Sequence, residues 1–229
     1  MSTIHFIGGE KGGVGKSVVA RLVTQYCIDK SLPFAAVDAD VSHRSLLRYY
    51  ADFARPVDLA HVESADEIIA LATDVDQRVV VDLPAQSDLP LSRWIAEAGV
   101  LALARECHVR VVFWHVTDGG KDSNVSLERL LARYGDDASY VVVKNAARGA
   151  DFALFDASSA KLRAEALGAH LLELPELNAP AMQKIDRLDA SFWAAGNNAT
   201  FGGDAFTRMD RQRIRVWLNA AFDELAKAV

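Results

Sequence analysis

The chain alternates short apolar segments, rich in β-branched residues, with longer segments in which apolar residues recur at helical spacing. Several short segments are apolar on both faces, as the strands of a covered parallel sheet are. They predict strands at residues 3–7, 34–37, 78–81, 109–115, 140–143 and 169–174, with 58–62 as a weaker candidate. The longer segments predict helices at residues 17–30, 42–53, 65–73, 89–107 (with a break at Gly99 as an alternative), 125–134, 154–167, 179–188 and 208–228.

This alternation predicts consecutive βαβ units, and right-handed crossovers then give a doubly wound, mostly parallel sheet flanked by helices. No repeat, low-complexity tract or linker interrupts the pattern, which therefore predicts a single α/β domain over residues 1–229. The most loop-like stretch is 194–203. One face of the last predicted helix is apolar, and we expect it to pack on the sheet; it carries Ile214, Trp217, Leu218, Ala221, Phe222 and Leu225.

A glycine-rich turn, Gly-Gly-Glu-Lys-Gly-Gly-Val-Gly-Lys-Ser, separates the first strand from the first helix. Its glycines allow successive backbone N–H groups to point at phosphate oxygens, and the helix start adds its positive end. Lys16 is the expected partner of the β- and γ-phosphates, and the Ser17 hydroxyl is the expected ligand of Mg²⁺. This arrangement predicts a P-loop NTPase whose loop binds nucleotide through Gly12, Gly13, Val14, Gly15, Lys16, Ser17 and Val18.

The loop departs from the general pattern G-x-x-x-x-G-K-[ST] at its first glycine, where this chain has Glu10, and it contains an additional lysine, Lys11. In this it resembles the deviant Walker A motif of the ParA/MinD family of ATPases. The resemblance implies that Lys11 reaches across a dimer interface to the nucleotide of the other subunit, whereas Lys16 acts in its own subunit. The alternative for Lys11 is a solvated loop charge.

Acidic residues follow two later strands in the order found in this family. Asp38 and Asp40 project to the same side of an extended segment, at the sheet edge where open α/β folds bind ligands. The resemblance implies that Asp38 supports the Mg²⁺ shell and that Asp40 orients or deprotonates the attacking water. Asp82 ends an apolar strand and is the expected Walker B residue that holds Mg²⁺.

Two segments near these carboxylates depart from the family pattern. The usual proline and small residue after Asp40 are replaced by Val-Ser-His, and Ala85 replaces the usual glycine after Asp82-Leu-Pro. The resemblance implies that Asp82-Leu-Pro opens a segment that senses the γ-phosphate, and Ala85 changes the backbone freedom of that segment. His43 is either close to the nucleotide or, more often for such a residue, a surface histidine at a helix start.

Two candidates for the base site follow later strands. In the family, an asparagine at such a strand end contacts adenine, which makes Asn145 the candidate; an asparagine that caps the strand is nearly as good an interpretation. Pro175, in Leu-Glu-Leu-Pro, resembles the segment that flanks the base. The preference for ATP over GTP rests on the family resemblance alone.

Four further segments resemble the small ParA-type ATPases encoded with conjugal transfer functions, the TraL type. They are Thr-Ile-His-Phe-Ile from residue 3, Pro-Leu-Ser-Arg-Trp from residue 90, Val-Thr-Asp-Gly-Gly from residue 116 and Met-Asp-Arg-Gln-Arg from residue 209. These motifs have low specificity outside the phosphate loop.

Composition limits the partners. Hydrophobic residues make up 51% of the chain and charged residues 24%, as in a globular protein, and the net charge of −6 provides no general attraction for nucleic acid. The arginines at 208, 211, 213 and 215 could contact DNA, but a solvated outer face of a docked helix is the favoured interpretation. No signal peptide or 18-residue apolar span is recognisable, so we expect a cytoplasmic protein that does not bind membranes.

These features favour a Mg-ATP-dependent switch that forms a homodimer when ATP binds. It would hydrolyse ATP slowly, respond to a protein activator or cargo adaptor, and act in plasmid or DNA partition, in transfer, or in positioning of a cargo. The alternative is a small-molecule P-loop kinase or ATP-dependent ligase, whose relatives generally lack the lysine at position 11. An electron-donating ATPase is a weaker interpretation, because Cys27 and Cys107 are wrongly placed for a bridging cluster.

Overall fold

The computed structural model describes residues 1–149, 151–201 and 205–229. Its strands are β1 (Thr3–Gly8), β2 (Phe34–Asp38), β3 (Ala54–Pro56), β4 (Arg78–Asp82), β5 (Arg110–Thr117), β6 (Ser139–Asn145) and β7 (His170–Leu174). They form one sheet in the order β3-β2-β4-β1-β5-β6-β7, and every neighbouring pair is parallel. The doubly wound α/β fold predicted from the sequence is confirmed.

Helices connect these strands and cover both faces of the sheet. They are α1 (Lys16–Asp29), α2 (Ser45–Tyr49), α3 (Val62–Asp74), α4 (Asp88–Glu97), α5 (Val100–Glu106), α6 (Lys121–Tyr134), α7 (Ala153–Asp156), α8 (Ser159–Ala166), α9 (Ala179–Arg187), α10 (Phe192–Asn197) and α11 (Arg208–Leu225). Short 3-10 helices span Gly135–Asp137 and Ala146–Arg148.

The structure corrects several predicted boundaries. The prediction of a strand at 58–62 is wrong, because the third strand is β3 at Ala54–Pro56 and helix α3 begins at Val62. Of the helix predicted at 42–53, only Ser45–Tyr49 is helical, as α2. The alternative of a break at Gly99 in the helix predicted at 89–107 is confirmed, because α4 ends at Glu97 and α5 begins at Val100. The helix predicted at 154–167 divides where the Ser158 hydroxyl caps α8. Part of the stretch predicted as a loop at 194–203 belongs to α10, and its residues 202 and 203 lie outside the described residues.

Side chains of the central strand alternate between two apolar cores. Ile4 and Phe6 lie in the core beneath α3 to α8, whereas Ile7 lies in the core beneath α1, α2 and α9 to α11. This period of two divides the buried residues between the faces of a strand that is covered on both sides.

The last helix packs through the face that the sequence predicts. Ile214, Trp217, Leu218, Ala221 and Leu225 are buried, and the half-buried Phe222 ring meets Tyr26 of α1 edge-on with centroids 5.3 Å apart. The helix begins with a capping box in which Thr207 and Asp210 bond each other's backbone N–H groups. Helix α11 therefore closes the core formed by α1 and α10.

Candidate nucleotide-binding site

The phosphate loop joins β1 to α1 at the middle of the sheet, and its conformation depends on glycine. Gly13 and Gly15 have φ angles of 76° and 103°, which side chains with a Cβ rarely adopt. A Cβ on Gly15 would also lie only 2.2 Å from Nδ2 of Asn145. Glycine is therefore required at position 15 by both backbone conformation and space.

Lys16 begins α1 and is buried beneath this loop. Its Nζ donates a 3.0 Å hydrogen bond to the carbonyl oxygen of Lys11. Burial lowers the pKa of Lys16, while the carboxylates of Asp82, Glu10 and Asp40 act in the opposite direction. The loop therefore folds back over its own ammonium group, which has acidic neighbours and no ion pair closer than 4 Å among the described residues.

A cavity of about 380 Å³ opens above the loop. It brings together seven of the predicted site residues, namely Gly12, Gly13, Gly15, Lys16, Ser17, Val18 and Asp40. Ser42, His43, Pro84, Ala85 and Arg148 complete most of its wall. His43 lines the cavity although its side chain is largely exposed. It is therefore both a surface histidine and a residue beside the phosphate loop, which were the two interpretations of it from the sequence. The buried Val14 supports the loop from below.

Asp82 lies at the end of β4, level with Ile7 of β1 and Asp38 of β2. It is fully buried, and neither carboxylate oxygen has a hydrogen-bond partner in the described part of the chain. Burial, together with the nearby carboxylates of Asp38 and Asp40, raises the pKa of Asp82 to about 8, against the lowering effect of the Ser17 hydroxyl and Lys16. Among the described residues no cation lies within 4 Å of this carboxylate, so the more distant Lys16 only partly offsets the cost of its burial.

A divalent cation fits this unpaired carboxylate. Among the described residues no cluster of three or more His, Cys, Asp or Glu side chains could hold a metal unaided. Mg²⁺ is commonly held by one or two protein groups together with phosphate oxygens and water. The donor set formed by the Ser17 hydroxyl and Asp82 therefore suits Mg²⁺ that arrives with a nucleotide.

Asp38 has a different environment from Asp82. Its Oδ2 accepts hydrogen bonds from the backbone N–H groups of Leu46 and Leu47 at 2.7 and 2.9 Å, and its Oδ1 accepts one from Asp40 at 3.0 Å. Burial nevertheless raises its pKa, since these bonds only partly compensate. Asp38 ties the start of α2 to the sheet edge, and its role in the Mg²⁺ shell stays a prediction.

Asp40 organises the turn that follows β2. Its Oδ1 accepts hydrogen bonds from the backbone N–H groups of Ser42 and His43 at 3.1 and 3.0 Å, and its Oδ2 lies 3.2 Å from Nδ1 of His43. Ser42 and His43, two of the three residues that depart from the family pattern, are thus held by this carboxylate. Its role toward an attacking water stays a prediction.

Lys11 lies on the outer side of the loop and pairs within its own chain. Its Nζ is 2.5 Å from Oδ2 of Asp118, and this hydrogen bond is the main cause of the raised pKa of Lys11. Oδ1 of Asp118 accepts hydrogen bonds from Ser123 Oγ and from the N–H of Gly120, both at the start of α6. Lys11 is therefore neither a free loop charge nor exposed without a partner.

Glu10 occupies the position of the missing glycine and connects the loop to α4. Its Oε1 accepts a 2.8 Å hydrogen bond from the backbone N–H of Asp88, the first residue of α4. Helix α4 follows the segment that begins at Asp82, so the loop and this segment are joined through one side chain. An acidic group at a helix N-terminus is also electrostatically favourable.

A second cavity of about 190 Å³ adjoins the first and shares Gly15, Val18 and Arg148 with it. It contains both predicted base-site residues, Asn145 and Pro175. Its size, its partly apolar lining and its position next to the phosphate loop suit a nucleotide base.

Both predicted base-site residues make hydrogen bonds within the chain, and of these the sequence indicated only the capping role of Asn145. Nδ2 of Asn145 donates a 2.7 Å hydrogen bond to the carbonyl of Val14, and its Oδ1 accepts one from the N–H of Ala147. Nε1 of Trp217 donates a 2.7 Å hydrogen bond to the carbonyl of Pro175. Asn145 therefore supports the phosphate loop and caps its own strand.

Sequence reasoning missed three residues of the site. Asp118 and Trp217 lie far along the chain from Lys11 and Pro175, and nothing in their local patterns marks these contacts. Arg148 lines both cavities and adds a cation between the base and phosphate regions. Arg148 could have been predicted as a site residue because it follows the candidate base-site residue Asn145 by only three positions.

Outside these cavities, two expectations can be compared with the structure. Arg211 donates to the carbonyls of Phe206 and Ala199, and Arg215 donates to the carbonyl of Gly196. These arginines fasten α11 to the preceding segment, which favours the docked-helix interpretation over a basic stripe. In the described ranges, no helix combines the length and apolar character that crossing a membrane requires.

The comparisons with known proteins agree with this geometry. No family model matches the chain. It is 25% identical over 239 residues to Protein TraL of Escherichia coli, covering 100% of this chain and 99% of that protein. It is 28% identical over 184 residues to Protein MobD of Acidithiobacillus ferrooxidans, covering 76% and 78% of the two chains.

Among solved structures, the MinC:MinD cell division protein complex of Aquifex aeolicus aligns with a TM-score of 0.57 at 15% identity, covering 100% of this chain and 97% of that one. At this identity the alignment concerns the fold alone. The resemblance inferred from the phosphate loop is thereby confirmed: the chain has the MinD-type P-loop NTPase fold and is similar to TraL over its whole length.

Proposed function

We propose that the protein is a Mg-ATP-dependent ATPase switch that dimerises when it binds ATP. The observation that carries this proposal is the fully buried Asp82, whose oxygens have no hydrogen-bond partner within the described residues and which is close to Ser17, a residue that lines the cavity with the phosphate loop. A cation with a polyphosphate supplies the charges that this arrangement lacks. The adjoining cavity beside Asn145 and Pro175 would receive the base.

Different residues of the site would serve nucleotide binding and hydrolysis. Lys16 and the loop N–H groups bind the β- and γ-phosphates, while Ser17 and Asp82 would hold Mg²⁺, which neutralises phosphate charge when bound. Asp40 lines the same cavity with a carboxylate that can orient water toward the γ-phosphate. Asp38 keeps α2 fixed at the cavity edge.

For dimerisation, Lys11 would exchange Asp118 for the nucleotide of a second subunit. The pair with Asp118 leaves 42% of the lysine side chain exposed, and exposed ion pairs contribute little to stability. A polyphosphate carries more negative charge than one carboxylate, so the exchange is electrostatically favourable. Lys11 would thus couple ATP binding to formation of the dimer interface.

The biological setting follows from similarity to TraL and MobD. We propose that the switch serves plasmid transfer or partition, where it positions a cargo in response to ATP. A protein activator or cargo adaptor would stimulate its slow hydrolysis. This setting rests on sequence similarity, whereas nucleotide binding rests on the site itself.

Calorimetry with Mg-ATP tests the central claim. Lys16→Ala should reduce affinity by at least about 100-fold, because the loop loses its buried cation beside the phosphates. Lys30→Ala, at the opposite end of the first helix, is the matched control and should bind like wild type. Equal affinities for the wild type and Lys16→Ala would contradict the proposal.

Light scattering on the same proteins tests dimerisation. Lys11→Ala should bind Mg-ATP yet remain a monomer with a slowly hydrolysed ATP analogue, whereas the wild type should double in mass. A variant that dimerises like wild type would remove the role of Lys11 across the interface.

A further inference from the structure

A second concave surface lies at the far end of α1 from the phosphate loop. It is a groove of about 500 Å³ between the ends of α1 and α2 and the start of α10. The residues that define this aromatic groove are Gln25, Asp29, Tyr49, Asp52, Phe53 and Trp193. Neither of the nucleotide cavities includes any of them.

Two large aromatic side chains stand exposed on its walls. Phe53 and Trp193 are each 49% exposed. The ring of Phe53 stacks on Phe34, with centroids 5.7 Å apart, so its inner face is supported while its outer face meets solvent. Apolar rings grouped in a concave surface are typical of a binding site.

The floor of the aromatic groove is fixed by a buried hydrogen-bond network. Oε1 of the buried Gln25 accepts from the Tyr50 hydroxyl at 3.0 Å and from the backbone N–H of Trp193 at 3.2 Å. Its Nε2 donates to Oδ1 of Asp29 at 2.8 Å. This network joins all three helices, so the groove is preformed and an occupant need not order it.

The charged residues that line the aromatic groove are both acidic, although Arg21 and Arg48 lie over the ring of Tyr49 at its margin. Asp29 and Asp52 are its charged lining residues, and both are exposed. Asp29 is the last residue of α1, where a carboxylate meets the negative end of the helix dipole and no basic residue lies in the last turn. The nearby Lys30 directs its ammonium over the ring of Tyr26, 5.9 Å from the centroid.

Exposed aromatic faces beside carboxylates are complementary to guanidinium and ammonium groups. Such cations gain attraction from the ring faces and charge-assisted hydrogen bonds from the carboxylates. We propose that the aromatic groove binds a peptide segment of a partner protein in which an Arg or Lys side chain stands beside an apolar side chain. The apolar neighbour would cover Phe53 and Trp193.

Helix α2 connects this groove to the nucleotide site. Its first turn donates two backbone hydrogen bonds to Asp38, while Tyr49 at its other end lines the groove and donates a 3.1 Å hydrogen bond to Asp186. Asp186 in turn lines the base cavity. With the proposed function, the segment would belong to the activator or cargo adaptor, and its binding would be coupled to ATP.

The test uses a labelled peptide, acetyl-Arg-Leu-Arg-Leu-Arg-amide, and the full-length protein without nucleotide. Fluorescence anisotropy should show saturable binding, and the double variant Asp29→Asn with Asp52→Asn should weaken it at least about tenfold. Asn at position 29 keeps an oxygen for Gln25, which preserves the floor. Trp193→Ala should weaken binding comparably, because the cation and the apolar side chain lose one wall.

The matched control is Asp74→Asn. Asp74 is an exposed aspartate at the last position of another helix, α3, with no side-chain partner among the described residues. It should leave peptide affinity unchanged, and a peptide with Glu in place of Arg should not bind. The inference is overturned if Asp74→Asn weakens binding as much as the groove variants, or if the groove variants bind like wild type. Equal binding of arginine amide alone would also overturn it, since a free cation would then suffice.

Coupling is measured separately, by titrating Mg-ATP with and without saturating peptide. Saturating peptide should change the affinity for ATP, and ATP should change the affinity for peptide by the same factor. An ATP affinity that is the same with and without peptide would overturn the coupling. Peptide binding to Lys16→Ala without ATP binding to the wild type would overturn the proposed function and leave the groove intact. ATP binding to the wild type without peptide binding would overturn the inference about the groove and leave the proposed function intact.

Discussion

At the scale of single residues, the phosphate loop is the part of the site that the sequence predicts best. Gly15, Lys16 and Ser17 are adjacent in the chain and their chemistry depends on local backbone conformation, which a short motif encodes. The partner of Lys11 could not be predicted in this way. Asp118 is 107 residues away, and only the parallel pairing of β1 with β5 brings it beside the loop.

The hydrogen bonds of Asn145 to the phosphate loop give a more specific prediction than the adenine contact that the family resemblance implies. Asn145→Ala leaves the buried Val14 carbonyl without its side-chain donor, which costs about 1–3 kcal/mol of loop stability. We therefore expect weaker binding of both ATP and inorganic tripolyphosphate, by similar factors. Competition calorimetry measures both affinities.

Asn219→Ala, at an exposed position of the last helix, is the control for this experiment and should change neither affinity. A loss confined to ATP would instead show that Asn145 reads the base, as the family resemblance implies. The ratio of the two affinities thus separates the two roles.

At the scale of elements, strands with long apolar runs were predictable, while β3 and α10 were not. Strand β3 has only three residues, pairs with β2 alone and ends at a proline, so it carries no alternating pattern. Helix α10 contains Gly196, which resembles a loop residue in sequence. A Cβ there would lie 3.4 Å from Ile214 and Arg215 of α11, which is ordinary van der Waals contact, so this glycine lies against α11 within a regular helix.

The start of α11 provides a prediction about stability. Asp210 accepts a 2.6 Å hydrogen bond from Lys184 of α9, and this bond, with those from Thr207, lowers its pKa to about 2. Because the folded pKa lies below the unfolded value of 3.8, the charged form stabilises the fold above pH 4. Asp210→Asn should therefore cost roughly 2 kcal/mol at pH 7.

Urea denaturation across a range of pH measures this contribution. The difference between wild type and Asp210→Asn should shrink as pH falls from about 4 toward 2, where the wild-type carboxylate becomes protonated. Asp223→Asn, an exposed position on the same helix, should match wild type throughout. A difference that does not depend on pH would mean that the asparagine perturbs packing and that the charge contributes nothing.

At the scale of the whole molecule, the site is connected to the helices at the carboxyl ends of the parallel strands. The phosphate loop leads into α1, Asp38 holds α2, and Glu10 holds the start of α4. The cavity above the loop is lined by the first residues of α1 and α2, including Lys16, Ser17 and Ser45, while Asp38 and Glu10 hold α2 and α4 from outside this lining. This coordination arises from strand order and register, which no segment of the sequence displays by itself.

Asp40 tests whether this arrangement operates as a switch. Asp40→Asn retains an oxygen that can accept from the N–H groups of Ser42 and His43, so the turn after β2 should persist while the carboxylate is lost. Loss of a water-orienting or general-base group typically lowers a rate by about 10²–10⁴. ATP affinity should hold or rise slightly, since a negative charge beside the phosphates is removed.

Because ATP would then persist, Asp40→Asn should accumulate as the ATP-bound dimer. The measurements are ATP turnover and mass by light scattering on one sample with Mg-ATP, with Asp74→Asn, at an exposed position of α3, as the control. Asp40→Ala, which also removes the acceptor for the turn, should lose turnover and bind ATP less tightly than Asp40→Asn does. Retained turnover in Asp40→Asn would place the hydrolytic group elsewhere in the cavity, and lost ATP binding would assign Asp40 to the metal or to the fold. A persistent dimer without turnover supports the switch, because only a chain that couples assembly to bound ATP accumulates that state.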